Sequence, residues 1–200
     1  MIALRDCSRA IELPEIETPR LILRMGREAD APEIVRFHRE NNEFLAPWSP
    51  QRDTEYFSER FWRGQVKIAE EEFRQDRSLK LFLFHRKPPD RIIGVCNFAN
   101  FVRGVGQFCT VGYGLAGDAQ GRGYMLEAMQ AAIPYVFGAL KLHRISAGYM
   151  PRNERSARLL RRLGFTVEGY ARDYIFINGK WEDHILTGLV NPDWRPEPQP

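Results

Sequence analysis

The chain has 200 residues, 44% of them hydrophobic and 28% charged, which suits one compact domain with a sizeable core better than two half-sized ones. Lys plus Arg exceed Asp plus Glu by only 29 to 26, so bulk charge gives no push toward DNA or an anionic membrane. Cys7, Cys96 and Cys109 are odd in number, widely spaced and form no C-x-x-C pair; this suggests neither a disulfide framework nor a zinc site and fits a reducing cytoplasm.

The N-terminal stretch MIALRDCSRAIELPEIE is interrupted by charge before any apolar run reaches signal-peptide length. Nowhere do about 18 apolar residues follow one another, so a cytoplasmic chain with no membrane partner is expected. Residues 1–17 read as an irregular arm, 18–195 as one domain and 196–200 as a Pro-rich tail. RLILRM (20–25) alternates as a strand, and PEIVRFHREN (32–41) has helical spacing. NNEFLAPWSPQRD (41–53) reads as a loop carrying Phe44, Leu45 and Trp48, leading to Thr54 as the N-cap of a helix with Phe57, Phe61, Ile68 and Phe73 on its inner face.

Three strands in a meander follow: LKLFLFHRK (79–87), then RIIGVCNFANF (91–101) after a Pro-Pro-Asp turn, then GQFCTVGYGLA (106–116). A helix is expected from about 121 to 140, kinked or restarted at Pro134. The strand RISAGYM (144–150), the helix NERSARLLRRLG (153–164) and two strands, TVEGYARDYIFI and WEDHILTGLV, complete the pattern. There is no internal repeat and no linker. The order implies a single-domain α/β (α+β) fold around one mixed sheet of about seven strands.

Residues 112–128, GYGLAGDAQGRGYMLEA, hold two glycine clusters. GYGLAG matches the dinucleotide pattern G-x-G-x-x-G after a strand, but Gly117, Asp118 and Ala119 intervene before the helix and no acid lies in FGALKL (137–142). Those glycines could also be turn residues alone. The second cluster, Gln120-Gly121-Arg122-Gly123-Tyr124-Met125, sits where the helix begins. Unpaired N–H groups of a first helical turn can cradle a pyrophosphate, and glycines keep side chains away from it. Arg122 could add charge or remain a solvated arginine.

The second cluster resembles the Q/R-x-x-G-x-G/A loop of the GNAT acetyltransferases, with Met125 replacing the last small residue. NNEFLAPWSP, IGVCNFANFVRG, HRISAGYMPRNERSARLLRRLGF, EGYARDYIFINGKWEDH and NPDW extend the likeness to the ribosomal-protein-alanine N-acetyltransferases of the Rim type, over roughly 18 to 195. The resemblance implies a GNAT fold, mostly antiparallel, whose splayed strands form the acetyl-CoA cleft. It also implies acetyl-CoA-dependent acetylation of the N-terminal α-amine of a protein, with a ribosomal protein bearing N-terminal alanine as the expected target, by direct transfer in a ternary complex.

It further implies roles for residues. The strand end at Tyr113, Gly114 and Leu115 would pair with the pantetheine arm and turn a backbone N–H toward the thioester oxygen. Gln120, Gly121, Arg122, Gly123, Tyr124 and Met125 would hold the pyrophosphate. Asn153 would bond the pantetheine arm and Ser156 would lie near the sulfur, although Asn153 and Gly164 are equally natural helix caps. Many relatives carry a tyrosine acid where this chain has Leu160. Leucine has no proton to give, which leaves Ser156 to support the departing thiolate.

A protein α-amine has a pKa of about 7.7 to 8.0, so about a tenth to a sixth of it is neutral at pH 7; lysine, at about 10.4, would cost roughly 3 to 4 kcal/mol more to deprotonate. A modest base or a water relay suffices. Asp173, in the C-terminal hairpin expected to flank the acceptor, leads the candidates over Asp183, Glu168 and Glu127, any of which could instead sit in a surface ion pair. Phe44, Leu45 and Trp48 could staple the second helix or form an aromatic loop beside the acceptor, and with Asn97 they are the candidates for the acceptor side. Arg155, Arg158 and Arg162 share a helical face that is either solvated or meets the CoA 3′-phosphate or ribosomal RNA. His38, His85, His143 and His184 lack metal-ligand spacing, and no metal is expected. Acetylation of a small amine, or acyl-CoA binding without catalysis, are the competing readings.

Overall fold

A computed structural model describes residues 12–87 and 91–196; the readings for Cys7, for the charged start of the chain, for the Pro88-Pro89-Asp90 turn and for residues 197–200 lie outside the described residues. The chain forms β1 (Glu15–Glu17), β2 (Leu21–Arg24), α1 (Ala31–Leu45), α2 (Glu59–Arg74), β3 (Leu79–His85), β4 (Arg91–Val102), β5 (Phe108–Leu115), α3 (Tyr124–Gly138), β6 (Arg144–Tyr149), α4 (Glu154–Arg162), β7 (Thr166–Ile177) and β8 (Lys180–Val190). The strands make one sheet in the order β1-β2-β3-β4-β5-β6-β8-β7. Every neighbouring pair is antiparallel except β5 and β6, which are parallel.

The alternation of LILR and LKLFLFH puts Leu21, Leu23, Leu79, Leu81 and Leu83 out of contact with solvent. Along β4 the two faces separate: the Cys96 thiol points at Met129 of α3, 3.2 Å away, whereas Val95 and Asn97 face α1. Helices α1 and α2 thus cover one face, and α3 and α4 the other.

Four details differ from the sequence reading. Glu15–Glu17 lie in what reads as an irregular arm, yet they pair with β2 and add an eighth strand. Helix α1 runs through NNEFL to Leu45 and tightens into a 3-10 turn at Ala46–Trp48, because the run holds no glycine and its first proline is Pro47. Ser58, not Thr54, caps α2, its hydroxyl accepting from the Phe61 N–H at 3.2 Å; the inner face is Val66, Ala69 and Phe73, and Ile68 is 48% exposed. Helix α3 passes through Pro134 as one element, so no second helix starts there. The carbonyl that loses its donor belongs to Gln130, an exposed residue that water can serve.

Candidate active site

Strands β5 and β6 pair only at Phe108↔Arg144, Cys109↔Ile145 and Thr110↔Ser146, then diverge. The Ala116 N–H donates to the Ile93 carbonyl at 2.8 Å. By alternation, Gly112 and Gly114 also direct their backbone groups at β4, while Tyr113 and Leu115 direct theirs into the opening. The side-chain amide of Gln120 donates to the Leu115 carbonyl at 3.0 Å, closing the far end of that edge.

After a 3-10 turn at Gly117–Ala119, Gly121 and Gly123 take φ of +73° and +79°, and Gly123 is the N-cap of α3 with no side-chain cap. Left-handed backbone favours glycine, and no atom lies within 4 Å of where a Cβ on Gly121 would sit. The loop thus leaves first-turn N–H groups and an open hollow. Tyr124 and Met125 are buried, the Tyr124 hydroxyl 3.0 Å from the His85 imidazole, so only their backbones face the loop. Arg122 is exposed, and its carbonyl accepts from Arg20, which also pairs with Glu127 at 2.6 Å.

Asn41 is a residue the sequence reading missed. Buried near the end of α1, it donates to the Phe37 carbonyl at 2.8 Å and accepts from the Gly117 N–H at 2.9 Å, fixing where the glycine loop leaves β5.

Helix α4 begins at the mouth of the splay. Asn153 caps it, its side-chain oxygen accepting from the Ser156 N–H at 3.1 Å, and Gly164 ends it at φ +87°. The Tyr113 hydroxyl reaches across from β5 to within 2.7 Å of Ser156 Oγ. Burial pushes the Tyr113 phenol up to about 12, so it stays protonated. Leu160 is 1% exposed and belongs to the core.

On the other face, a cavity of about 610 Å³ reaches from α2 to Tyr113 and Gly114 of β5. Leu45, Trp48 and Asn97 line it; Phe44 does not, its ring packing on Gly117 with the Arg155 guanidinium 5.9 Å from its centre. The aromatic wall is another feature the sequence did not announce. His38 stacks on Trp62 with centroids 4.7 Å apart and planes 9° apart, and the Tyr56 hydroxyl lies 3.2 Å from a His38 ring nitrogen. Burial, helped by the nearby Arg52 charge, lowers His38 to about 3, so its ring is neutral at pH 7. Arg152 holds the rim: it pairs with Glu182 at 2.8 Å and lies over the Trp48 ring at 5.6 Å.

The carboxylates proposed as bases stand elsewhere. Asp173 is exposed at a bulge between Ala171 and Ile175, with φ +47°, and does not line the cavity. Its backbone N–H donates to Asp183, which also accepts from the Tyr170 hydroxyl. Glu168 pairs with Arg144, and Glu127 accepts from the Thr18 hydroxyl at 2.7 Å and the Arg20 N–H at 2.9 Å. Of the arginine face, Arg158 pairs with Glu154 while Arg162 is exposed. Among the described residues, no group of His, Cys, Asp and Glu is placed to hold a metal ion, and no helix is long and apolar enough to cross a membrane.

Comparison with known proteins agrees with this geometry. Residues 20–166 match the acetyltransferase (GNAT) domain family. The chain is 43% identical over 183 residues to the [ribosomal protein uS5]-alanine N-acetyltransferase of Escherichia coli, covering 90% of this chain and 93% of the relative. The ribosomal-protein-S5-alanine acetyltransferase of Vibrio fischeri superposes with a TM-score of 0.88 at 36% identity, covering 92% of this chain and all of that one. Mycobacterium smegmatis RimJ, in complex with CoA-disulfide, superposes with a TM-score of 0.80 at 26% identity, covering 89% and 86%. The splayed strands, the glycine loop and these likenesses together make the chain a member of the GNAT acetyltransferase family, and an N-acetyltransferase.

Proposed function

We propose that this N-acetyltransferase uses acetyl-CoA to acetylate the α-amine of a protein with N-terminal alanine, ribosomal protein uS5 by analogy with its relatives, by direct transfer in a ternary complex. The observation that carries the reading is that the cavity and the open edge of β5 meet at Tyr113 and Gly114. A donor held on one face of the sheet and an amine held on the other can approach each other only there.

The chain's features fit the donor. The hollow at Gly121 and the first-turn N–H groups after Gly123 suit a pyrophosphate. The backbone of Tyr113 and Leu115 suits an extended amide arm, and Asn153 stands at the start of α4 beside it. Bound acetyl-CoA would supply an activated acyl thioester. The chain supplies orientation, one backbone N–H of the β5 edge toward the carbonyl oxygen, and the Ser156 hydroxyl toward the sulfur. Either hydroxyl of the Tyr113–Ser156 pair can donate; with Tyr113 as the donor, the serine proton is free to point toward the sulfur.

For the amine, no carboxylate is needed inside. An α-amine is about a tenth to a sixth neutral at pH 7, and the proton released on attack can leave through water in the cavity. Asp173, on its bulge, serves at most through such water. The deciding experiment measures CoA release with a peptide carrying a free N-terminal alanine, the same peptide with its α-amine blocked, free lysine and an aminoglycoside. Turnover confined to the free peptide supports the reading. Turnover of the blocked peptide, or of the aminoglycoside alone, overturns it.

A further inference from the structure

The lining of the acceptor cavity has an uneven chemistry. Among the described residues it contains no Asp or Glu, and its two charged side chains, Arg52 and Lys80, are both cationic. Lys80 is answered by Glu72 at 2.7 Å. Arg52 is exposed on the rim, lies 4.5 Å from the centre of the Tyr56 ring, and makes no ion pair among the described residues. The other polar side chains include five carboxamides: Asn42, Gln51, Gln65, Asn97 and Asn178.

Each carboxamide both donates and accepts, as a peptide backbone does. A polyamine or aminoglycoside entering here would shed the hydration of several ammonium groups and find no anion to pair with. A single α-amine can enter neutral, and the chain that follows it meets amides and then the positive rim. From this we infer that the cavity selects a polypeptide N-terminus followed by uncharged or acidic residues, with Arg52 meeting a carboxylate within the first few positions, and that it rejects polycationic amines. The inference rests on the reading of this cavity as the acceptor site.

Arg52 is placed to act at a distance as well as by contact. Its charge is felt at both His38 and Tyr56 deeper in the cavity, where it opposes protonation of the imidazole. A second cation brought to the same wall would be repelled in a medium that screens less than water.

The test compares two peptides that share a free N-terminal alanine and differ only by Glu or Lys at one position among residues two to five, with spermidine as a third acceptor. The Glu peptide should exceed the Lys peptide in kcat/KM by about tenfold at low salt, the gap closing at high salt. Arg52→Glu should invert the order, and Arg52→Gln should level it. Arg52 is exposed, so neither variant threatens the core. Equal rates for the two peptides, with N-terminal acetylation intact, overturn the charge selection alone. No turnover of either peptide alongside efficient turnover of spermidine overturns both this inference and the function on which it rests.

Discussion

The hydroxyl of Tyr113 lies 2.7 Å from Ser156 Oγ, joining the splayed strand β5 to the first turn of α4 across the opening between β5 and β6. The Ser156 N–H is already given to Asn153, so backbone and side chain of this serine are both held. Removing the serine hydroxyl should therefore lower turnover more than donor affinity, because a bond to a developing thiolate acts on the transition state. Ser156→Ala is expected to lose about 10- to 100-fold in kcat, and Tyr113→Phe to lose less while leaving CoA affinity unchanged. A rate-limiting chemical step with full turnover in both variants would reduce Ser156 to a helix-turn residue. Since Tyr113 titrates near 12, the wild-type profile should show no loss from its ionisation below about pH 10.

The glycine loop gives a second expectation. Gly123 caps α3 at φ +79°, and Gly121 borders open space at φ +73°. Gly123→Val forces a β-branched residue into left-handed backbone and sets it beside first-turn N–H groups. Donor KM should rise about tenfold or more, a loss of about 1.4 kcal/mol, while acceptor KM holds. Gly121→Ala, which only adds a methyl group to the hollow and its backbone strain, should follow in the same direction. Titration with NAD should show no binding. Unchanged CoA affinity in folded variants of both glycines would remove the pyrophosphate from this loop.

These parts differ in how far the sequence announces them. Alternation exposes β2 to β5, and caps expose α4, because Asn153 and Gly164 act within one turn of their own position. The glycine loop is legible for the same reason. The cavity wall is not, because His38, Tyr56 and Trp62 meet only once α1 packs on α2. The Tyr113 to Ser156 bond spans 43 positions and the Asn41 to Gly117 bond spans 76, and no local pattern encodes either. Asp173 illustrates the converse: its hairpin is readable as two strands, but the bulge that turns it outward depends on pairing across to β8.

Acid stability should depend on His38. Its folded pKa, near 3, lies below the ordinary value of 6.5, so the fold holds the neutral ring and the unfolded chain binds the extra proton between these values. Stability is unaffected above pH 6.5 and falls as pH drops from there toward 3, by up to about 4 to 5 kcal/mol in all. His38→Gln removes the titrating ring and should flatten the Tm-against-pH slope between about pH 6 and 4. Parallel slopes for the two proteins would show that the ring is not what titrates.

Arg152 ties three pieces together: Glu182 of β8, the Trp48 ring and the turn into α4. Hydrogen bonding to Arg152 holds Glu182 at about 2, so the pair's contribution is complete above the ordinary value of 4.5 and fades as pH falls from there toward 2. Arg152→Ala should lower Tm at neutral pH and raise the acceptor KM, because the 8% exposed Glu182 loses its main partner and Trp48 its cover. A variant with unchanged Tm and acceptor KM would make the contact incidental.

Trp48 lines the cavity, whereas Phe44, four residues earlier, packs on Gly117 at the glycine loop. The two aromatics should therefore separate kinetically. Trp48→Ala removes a wall of the proposed acceptor cavity and should raise peptide KM with donor KM nearly unchanged, by about tenfold for a large ring lost from a binding surface. Phe44→Ala should instead shift donor KM, because the ring supports the backbone that leads to Gly121 and Gly123. With the α-amine of the peptide blocked and a lysine left free, acetylation should vanish, since among the described residues the cavity offers no carboxylate to take a proton from an amine of pKa about 10.4. Equal modification of the blocked and free peptides would mean that lysine enters the cavity and finds a base there, which would replace the N-terminal acceptor with a lysine side chain.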